Sequence, residues 1–249
     1  MVPASSTLRP SEEAKSWPLP VTIGCSHNGC FFCGMYRRAK FAVRDIADIK
    51  RDIDLRAQDG RHFTDAVFLG SGDALICPQP VLVEVLRYLK GCIPRVKRIS
   101  TYASPGSVIL KSQRELEELQ RLGLKMAYLG VETGDEKLLK EMNKGATRDQ
   151  IIEAGQRLKQ AGIMNSVTVI LGLGGATGGE RHAVATSDIL RAIAPDVIRP
   201  MMLKLVPGTV LYHDWQEGRF TPVSKHQAVE ELSIMVGKER KHDNGILCR

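Results

Sequence analysis

Read for its alternation of apolar and polar positions, the chain repeats one unit. A short run rich in β-branched residues is followed by a turn, then by a stretch whose apolar residues recur three and four apart. Strands are predicted at residues 20–24 (PVTIG), 65–70 (DAVFLG), 96–104 (VKRISTYAS), 125–131 (KMAYLGV), 165–172 (NSVTVILG) and 196–206 (DVIRPMMLKLV). Between them, helices are predicted from Asp45, with Ile46, Ile49 and Ile53 on one face, and over 80–90, with Val81, Val85, Leu86 and Leu89 turned inward. A third carries Leu116, Leu119 and Leu122 and stops at Gly123, and a fourth opens on a Thr147/Gln150 capping box and ends at Gly162. Further helices are predicted over 180–194 and 226–236.

Strands spaced by ~30 to 45 residues, each followed by a helix, are the pattern of a parallel sheet with helical crossovers. A complete eight-fold barrel takes about 250 residues. The 249-residue chain reaches its sixth strand with only 207–249 left, and these hold one clear helix. The expected fold is therefore α/β with six units: a partial (β/α)6 barrel of the TIM type, or else a doubly wound sheet. Both gather ligand groups at the C-terminal ends of the strands. With 43% hydrophobic residues the chain can fill one large core. The expected division is a flexible arm over 1–19, a core domain over 20–212 and a helical extension over 213–249.

Composition narrows the partners. No apolar run approaches the ~18 residues of a membrane span, and the Pro-, Ser- and charge-rich start reads as an arm without an apolar leader. This predicts a cytoplasmic chain without a membrane partner, in which six cysteines are ligands, reactive groups or buried hydrophobes rather than disulfides. The net charge of +7 suits an anionic partner, but its charges are interspersed and aromatic residues are only 5% of the chain. A nucleic acid is therefore not favoured over a small, anionic metabolite.

The residues that break the apolar pattern lie where strands end. GCSHNGCFFCGMY places Cys25, Cys30 and Cys33 after the first strand, spaced CxxxxCxxC. GSGD (Gly70, Ser71, Gly72, Asp73) follows the second and YASP the third; ETG closes the fourth, GLGG the fifth and PGT the sixth. The three cysteines admit burial as hydrophobes, a zinc site completed by His27, or an iron–sulfur cluster with one iron left for an outside ligand. The zinc reading leads to a metal-stabilised module that binds nucleic acid and carries no redox chemistry.

On these residues, over residues 21–212, the sequence resembles the radical S-adenosylmethionine (SAM) superfamily. Its commonest spacing is CxxxCxxC, one residue shorter than here. The resemblance implies a [4Fe–4S] cluster on Cys25, Cys30 and Cys33 with SAM on the fourth iron. It also implies an electron donor such as a flavodoxin or ferredoxin, and reductive cleavage to a 5′-deoxyadenosyl radical that takes hydrogen from substrate. Phe32 would pack near the adenine. Gly70, Ser71, Gly72 and Asp73 resemble the segment that receives the SAM amino group. Ser104 and Glu132 would face the ribose, and Val169, Ile170, Gly172 and Val206 the adenine. Cys77, after the second strand, is a candidate hydrogen donor or covalent anchor. No second cysteine cluster is visible, so sulfur insertion is not expected, and an RNA-modifying radical enzyme is the alternative sharing the cluster.

Overall fold

The computed structural model describes residues 8–59 and 65–237; Cys248 lies outside them. The strands are β1 (Trp17–Pro20), β2 (Thr22–Ile23), β3 (Ala42–Val43), β4 (Ala66–Gly70), β5 (Arg98–Ala103), β6 (Leu124–Glu132), β7 (Met164–Leu171) and β8 (Val197–Met202). The helices are α1 (Ile46–Gln58), α2 (Gln79–Cys92), α3 (Pro105–Ile109), α4 (Gln113–Arg121), α5 (Glu136–Glu141), α6 (Arg148–Gln160), α7 (Gly175–Ile193), α8 (Val210–Gln216) and α9 (Lys225–Val236). Six strands form one sheet in the order β1-β4-β5-β6-β7-β8, and β2 pairs antiparallel with β3. The order never reverses, which separates an opened barrel from a doubly wound sheet. The pairs β1–β4, β4–β5 and β7–β8 are parallel.

The described chain forms two compact units. The first comprises residues of Met1–Asn28, Met35–Tyr128 and Arg157–Asn165, and the second Gly29–Gly34, Leu129–Gln156 and residues of Ser166–Arg249. In the first, Asp45 caps α1 by accepting from the Ala47 N–H, and Ile49 and Ile53 are its buried face. Helix α2 buries Leu82, Val85, Leu86 and Leu89, so Leu82 takes the inward place expected of Val81. A Ser112/Glu115 capping box starts α4, and Gly123, at φ +107°, follows its end, with Leu116 and Leu119 buried between. Phe68, Tyr102 and Tyr128 stack edge-on or tilted, with centroids 5.2 to 6.1 Å apart. Such pairs are worth ~0.5–1.5 kcal/mol each beyond their buried area.

Part of the segment expected as a flexible arm over 1–19 carries structure of its own. Ser11–Glu13 forms a 3₁₀ turn, and Glu13 is fully buried. Its carboxylate accepts from both terminal nitrogens of Arg98, at 2.5 and 3.0 Å, from Tyr128 Oη at 2.8 Å, and from Ser16 Oγ. Those partners are far away in sequence, so local pattern could not show the arm anchored. The first strand likewise moves, from 20–24 to Trp17–Pro20. Pro18 and Pro20 look like coil, yet an edge strand tolerates proline where the missing N–H faces outward. The Val21 N–H bonds Gly70 O on the β4 side, so by alternation residues 18 and 20 face the open edge. Of the acceptors there, Pro20 O is taken by Arg44 at 2.6 Å.

In the second unit, the Thr147/Gln150 box precedes α6 as expected, with reciprocal bonds of 2.9 and 3.3 Å. Leu138, Met142, Leu173 and Leu211 form an apolar cluster on which Phe32, Ile170, Leu203, Leu205 and Phe220 pack. Helix α7 starts at Gly175, five residues before the expected 180. The Ala176 N–H bonds Thr221 O, so tertiary contact outweighs the poor helix propensity of this glycine-rich stretch. Helices α3, α5 and α8 are too short for periodicity to reveal, and α8 runs through the boundary expected at residue 212.

Candidate functional site

In the first unit, the loop carrying Cys25 is laced to the GSGD turn. The Gly72 N–H bonds Gly24 O at 3.0 Å, and the Ser71 N–H bonds Thr22 Oγ1 at 3.0 Å. A Cβ on Gly72 would stand 2.6 Å from the Tyr36 ring and 3.0 Å from Cys25 Cβ, so only glycine fits. Asp73 is fully buried and accepts from Ser26 Oγ at 2.5 Å, Ser104 Oγ at 2.7 Å and the Ser104 N–H at 3.1 Å. Ser104 is also the N-cap of α3, in a capping box with Ser107. Most of the carboxylate's acceptor sites are thus filled by the residue after Cys25 and by the end of β5. The proton of the Ser104 hydroxyl, expected near the ribose, already goes to Asp73.

Cys77 does not join this constellation. It is fully buried, and burial, ahead of every other influence, pushes its thiol up to about 12. A thiol held protonated is a weak nucleophile, which speaks against a covalent anchor and leaves the hydrogen-donor expectation as it stood. Its carbonyl accepts from Lys111 Nζ at 2.8 Å.

In the second unit, residues 29–34 bring Cys30 and Cys33 on a short turn in which the Cys33 N–H bonds Cys30 O at 3.2 Å. The Phe31 N–H bonds Met142 O, the Leu211 N–H bonds Phe31 O, and Asn143 Nδ2 donates to Gly29 O at 2.8 Å. A Cβ on Gly34 would come within 2.6 Å of Val206 Cγ1. Next along the same segment as Asn143, Lys144 Nζ bonds Glu132 Oε1 at 2.8 Å, both side chains about nine-tenths buried at 11% and 12% exposure. Glu132 takes the left-handed φ of +65°, a strained choice for glutamate of the kind found at functional positions. Gly130 leaves room for this pair, because a Cβ there would collide with Glu132 Oε1.

Strand β7 alternates as expected, with Val169 buried on one face and Ile170 on the other, against the Phe32 cluster. Gly172 ends it at φ +82°, where a Cβ would meet Val223 Cγ2 at 2.7 Å. The backbone is partly committed: Ile170 O faces His182 Nε2 at 2.9 Å, the Gly172 N–H bonds Glu231 Oε2 at 2.7 Å, and Leu171 O accepts from Leu203 N–H. Sequence reasoning missed Ser26, Lys144, His182 and Glu231. The visible signal was Glu231, an acid in line with Ala228 and Met235 on the buried stripe of α9. Arg37, Arg38 and Lys40, which follow the cysteine loop, and Lys204 are all exposed.

The donor set suits an iron–sulfur cluster: three thiols within nine residues, none in a disulfide and none fully buried. Among the described residues no three His, Cys, Asp or Glu side chains are drawn to metal-ligand spacing. Thiolates take that spacing when the metal is bound, because site formation and metal binding are coupled. None of the helices in the described residues is long and apolar enough to cross a membrane.

Comparison with known proteins agrees. The profile of the Radical SAM superfamily matches residues 19–186. The tRNA uridine(34) acetyltransferase of Methanocaldococcus infernus is 27% identical over 124 residues, 49% of this chain and 23% of that protein. The heme chaperone HemW of Bacillus subtilis is 25% identical over 195 residues, 76% of this chain and 50% of HemW. The chain thus spans between about a quarter and a half of these relatives. In fold it resembles methylornithine synthase (PylB), at TM-score 0.61, 20% identity and 88% coverage of this chain and 61% of that one. It also resembles coproporphyrinogen III oxidase (HemN) of Escherichia coli, at TM-score 0.63, 16% identity and 88% and 50% coverage. With two thirds of its length inside the family profile, the zinc module is set aside: the chain belongs to the radical SAM superfamily, whose enzymes work with a [4Fe–4S] cluster and S-adenosylmethionine.

Proposed function

We propose that this enzyme holds its cluster on Cys25, Cys30 and Cys33 and acts on a small organic substrate. Bound SAM and the reduced cluster would supply a 5′-deoxyadenosyl radical that abstracts hydrogen. The carrying observation is the bracing of the cysteine stretch: the GSGD turn presses Gly72 against Cys25, and the Met142–Lys144 segment holds residues 29–34. Each part of the ligand stretch is thus fixed within its own unit, Cys25 by the GSGD turn and residues 29–34 by the Met142–Lys144 segment, which lowers the ordering cost of binding a cluster.

The chain's own residues take the following parts. Asp73 ties Ser26 to Ser104 and so holds the loop beside Cys25, leaving little capacity for the SAM amino group. Ser71 and the Gly70 turn are the remaining polar groups of that segment. Glu132, held by Lys144, offers its second oxygen to the ribose. Phe32 and Ile170 supply an apolar wall for adenine, with Val169 and Gly172 shaping the strand end and Val206 packed on Gly34. A dry, apolar enclosure suits a reactive radical. The catalytic core on this reading runs from β1 to α8, with α9 as a supporting extension.

A small molecule is favoured over RNA because HemW, named for heme, aligns over 76% of this chain, whereas the tRNA enzyme aligns over 49%. Its similarity to a tRNA enzyme makes RNA the second reading, which predicts RNA binding that weakens steeply with salt. The test is anaerobic reconstitution with iron and sulfide, then absorbance and 5′-deoxyadenosine release after reduction, beside Cys30→Ala. A brown protein that cleaves SAM, with both properties lost in Cys30→Ala, supports the proposal. Cleavage that survives Cys30→Ala overturns the ligand assignment.

A further inference from the structure

Behind the turn that ends β7, the second unit buries a hydrogen-bonded chain with no motif to announce it. His182 is fully buried on α7, and its Nε2 lies 2.9 Å from Ile170 O. A carbonyl only accepts, so Nε2 carries the proton and Nδ1 must accept, which it does from Thr133 Oγ1 at 2.7 Å. Thr133 Oγ1 accepts in turn from the Asp135 N–H at 3.0 Å. Burial lowers the imidazole to about 4, so it is neutral and the chain of bonds has one direction.

Glu231 enters from α9, 3% exposed, on a stripe whose other buried members are Ala228 and Met235. Its Oε2 accepts from the Gly172 N–H at 2.7 Å and lies 4.0 Å from His182 Nε2. Its Oε1 has no hydrogen-bond partner among the described residues and sits against Gly179, where a Cβ would come within 2.7 Å. An apolar side chain would fill this stripe at less desolvation cost. What the carboxyl adds is an acceptor for Gly172 N–H, a group already past the end of the strand.

We propose that Glu231, with His182, is a positioning residue for the adenine site. His182 takes Ile170 O and Glu231 takes Gly172 N–H, so the turn after β7 is fixed from behind by two helices. The inference rests on the reading that this turn holds SAM, and it makes α9 part of the cofactor site rather than an appendage.

The test measures binding of SAM and of 5′-deoxyadenosine to reconstituted wild type, Glu231→Leu and Glu231→Gln. Alongside it run thermal melting and the effect of methionine alone on the spectrum of the reduced cluster. Glu231→Leu should weaken SAM and 5′-deoxyadenosine by roughly tenfold or more while leaving the methionine effect within about twofold. Glu231→Gln, which keeps an acceptor oxygen, should stay within about threefold of wild type. Wild-type affinity for 5′-deoxyadenosine in Glu231→Leu, whatever its melting temperature, overturns the proposal, and so does a loss in Glu231→Gln as large as in Glu231→Leu. If Glu231→Leu does not fold, Glu231→Met carries the same expectation and the same overturning result. A wild type that forms its cluster yet binds no SAM refutes the underlying reading instead.

Discussion

Among the described residues Glu13 of the first unit and Glu231 of the second are the most deeply buried glutamates, and the two are handled in opposite ways. Glu13 in the first has Arg98, Tyr128 and Ser16 on its oxygens. Burial alone would raise its pKa, but these partners together hold the carboxyl below its ordinary value, so it is a charge. Glu231 in the second has one backbone N–H and, among the described residues, an oxygen with no partner. Burial dominates there and raises the carboxyl above its ordinary value. Equal burial therefore does not mean equal chemistry. The paired acid pins a distant segment to two strands, whereas the poorly paired one supplies a single acceptor where a turn needs it.

The sharpest way to break this contrast is to remove both acids. Glu13→Ala should cost about 3 kcal/mol in urea denaturation, because the Tyr128 hydroxyl and the Arg98 guanidinium lose their partner. The figure sits at the low end for a buried pair, since the Arg98 side chain is 36% exposed. Glu231→Leu should cost only ~1–2 kcal/mol, the loss at one backbone N–H. Equal losses would dissolve the distinction.

Acidity should separate them next. Glu13 has a folded pKa below its ordinary 4.5, so its contribution is present above that value and is lost as pH falls through the folded one. Glu231 has a folded pKa above 4.5, so its contribution is present below that value and is lost as pH rises through the folded one. His182, at about 4 against 6.5, makes stability fall between 6.5 and 4 as the unfolded chain takes up a proton, by at most ~1.4 kcal/mol per pH unit. Urea midpoints across this range should show a gentler acid limb in Glu13→Gln. They should also show less decline above about pH 4.5 in Glu231→Gln. The smallest effect belongs to Cys77, a buried titratable group outside both networks. Cys77→Ala should leave SAM cleavage within about twofold and cost ~1 kcal/mol.

Much of this was legible in the sequence, for reasons that vary by residue. The capping box at Thr147 and the stop at Gly123 are local, so local pattern finds them. The cysteine stretch announces itself because three thiols on one polar loop have few other uses. Glu13 and Ser26 were hidden because their partners lie 85 and 47 residues away. Trp17–Pro20 was hidden because proline is read as a breaker until the strand is known to lie at an edge. His182 has no pattern of its own, and its role appears only once Ile170 and Thr133 are seen on either side of its ring.

The proline-bearing edge of β1 has a consequence for the protein as a colloid. An edge strand presents a ladder on which another molecule could add a strand, the first step toward fibres or gels. Pro18 and Pro20 remove the outward donors, and Arg44 occupies the acceptor beside them. Concentrated solutions should therefore stay free of strand-templated polymer through the long incubations that cluster assembly demands, and threonine at positions 18 and 20 would remove that protection.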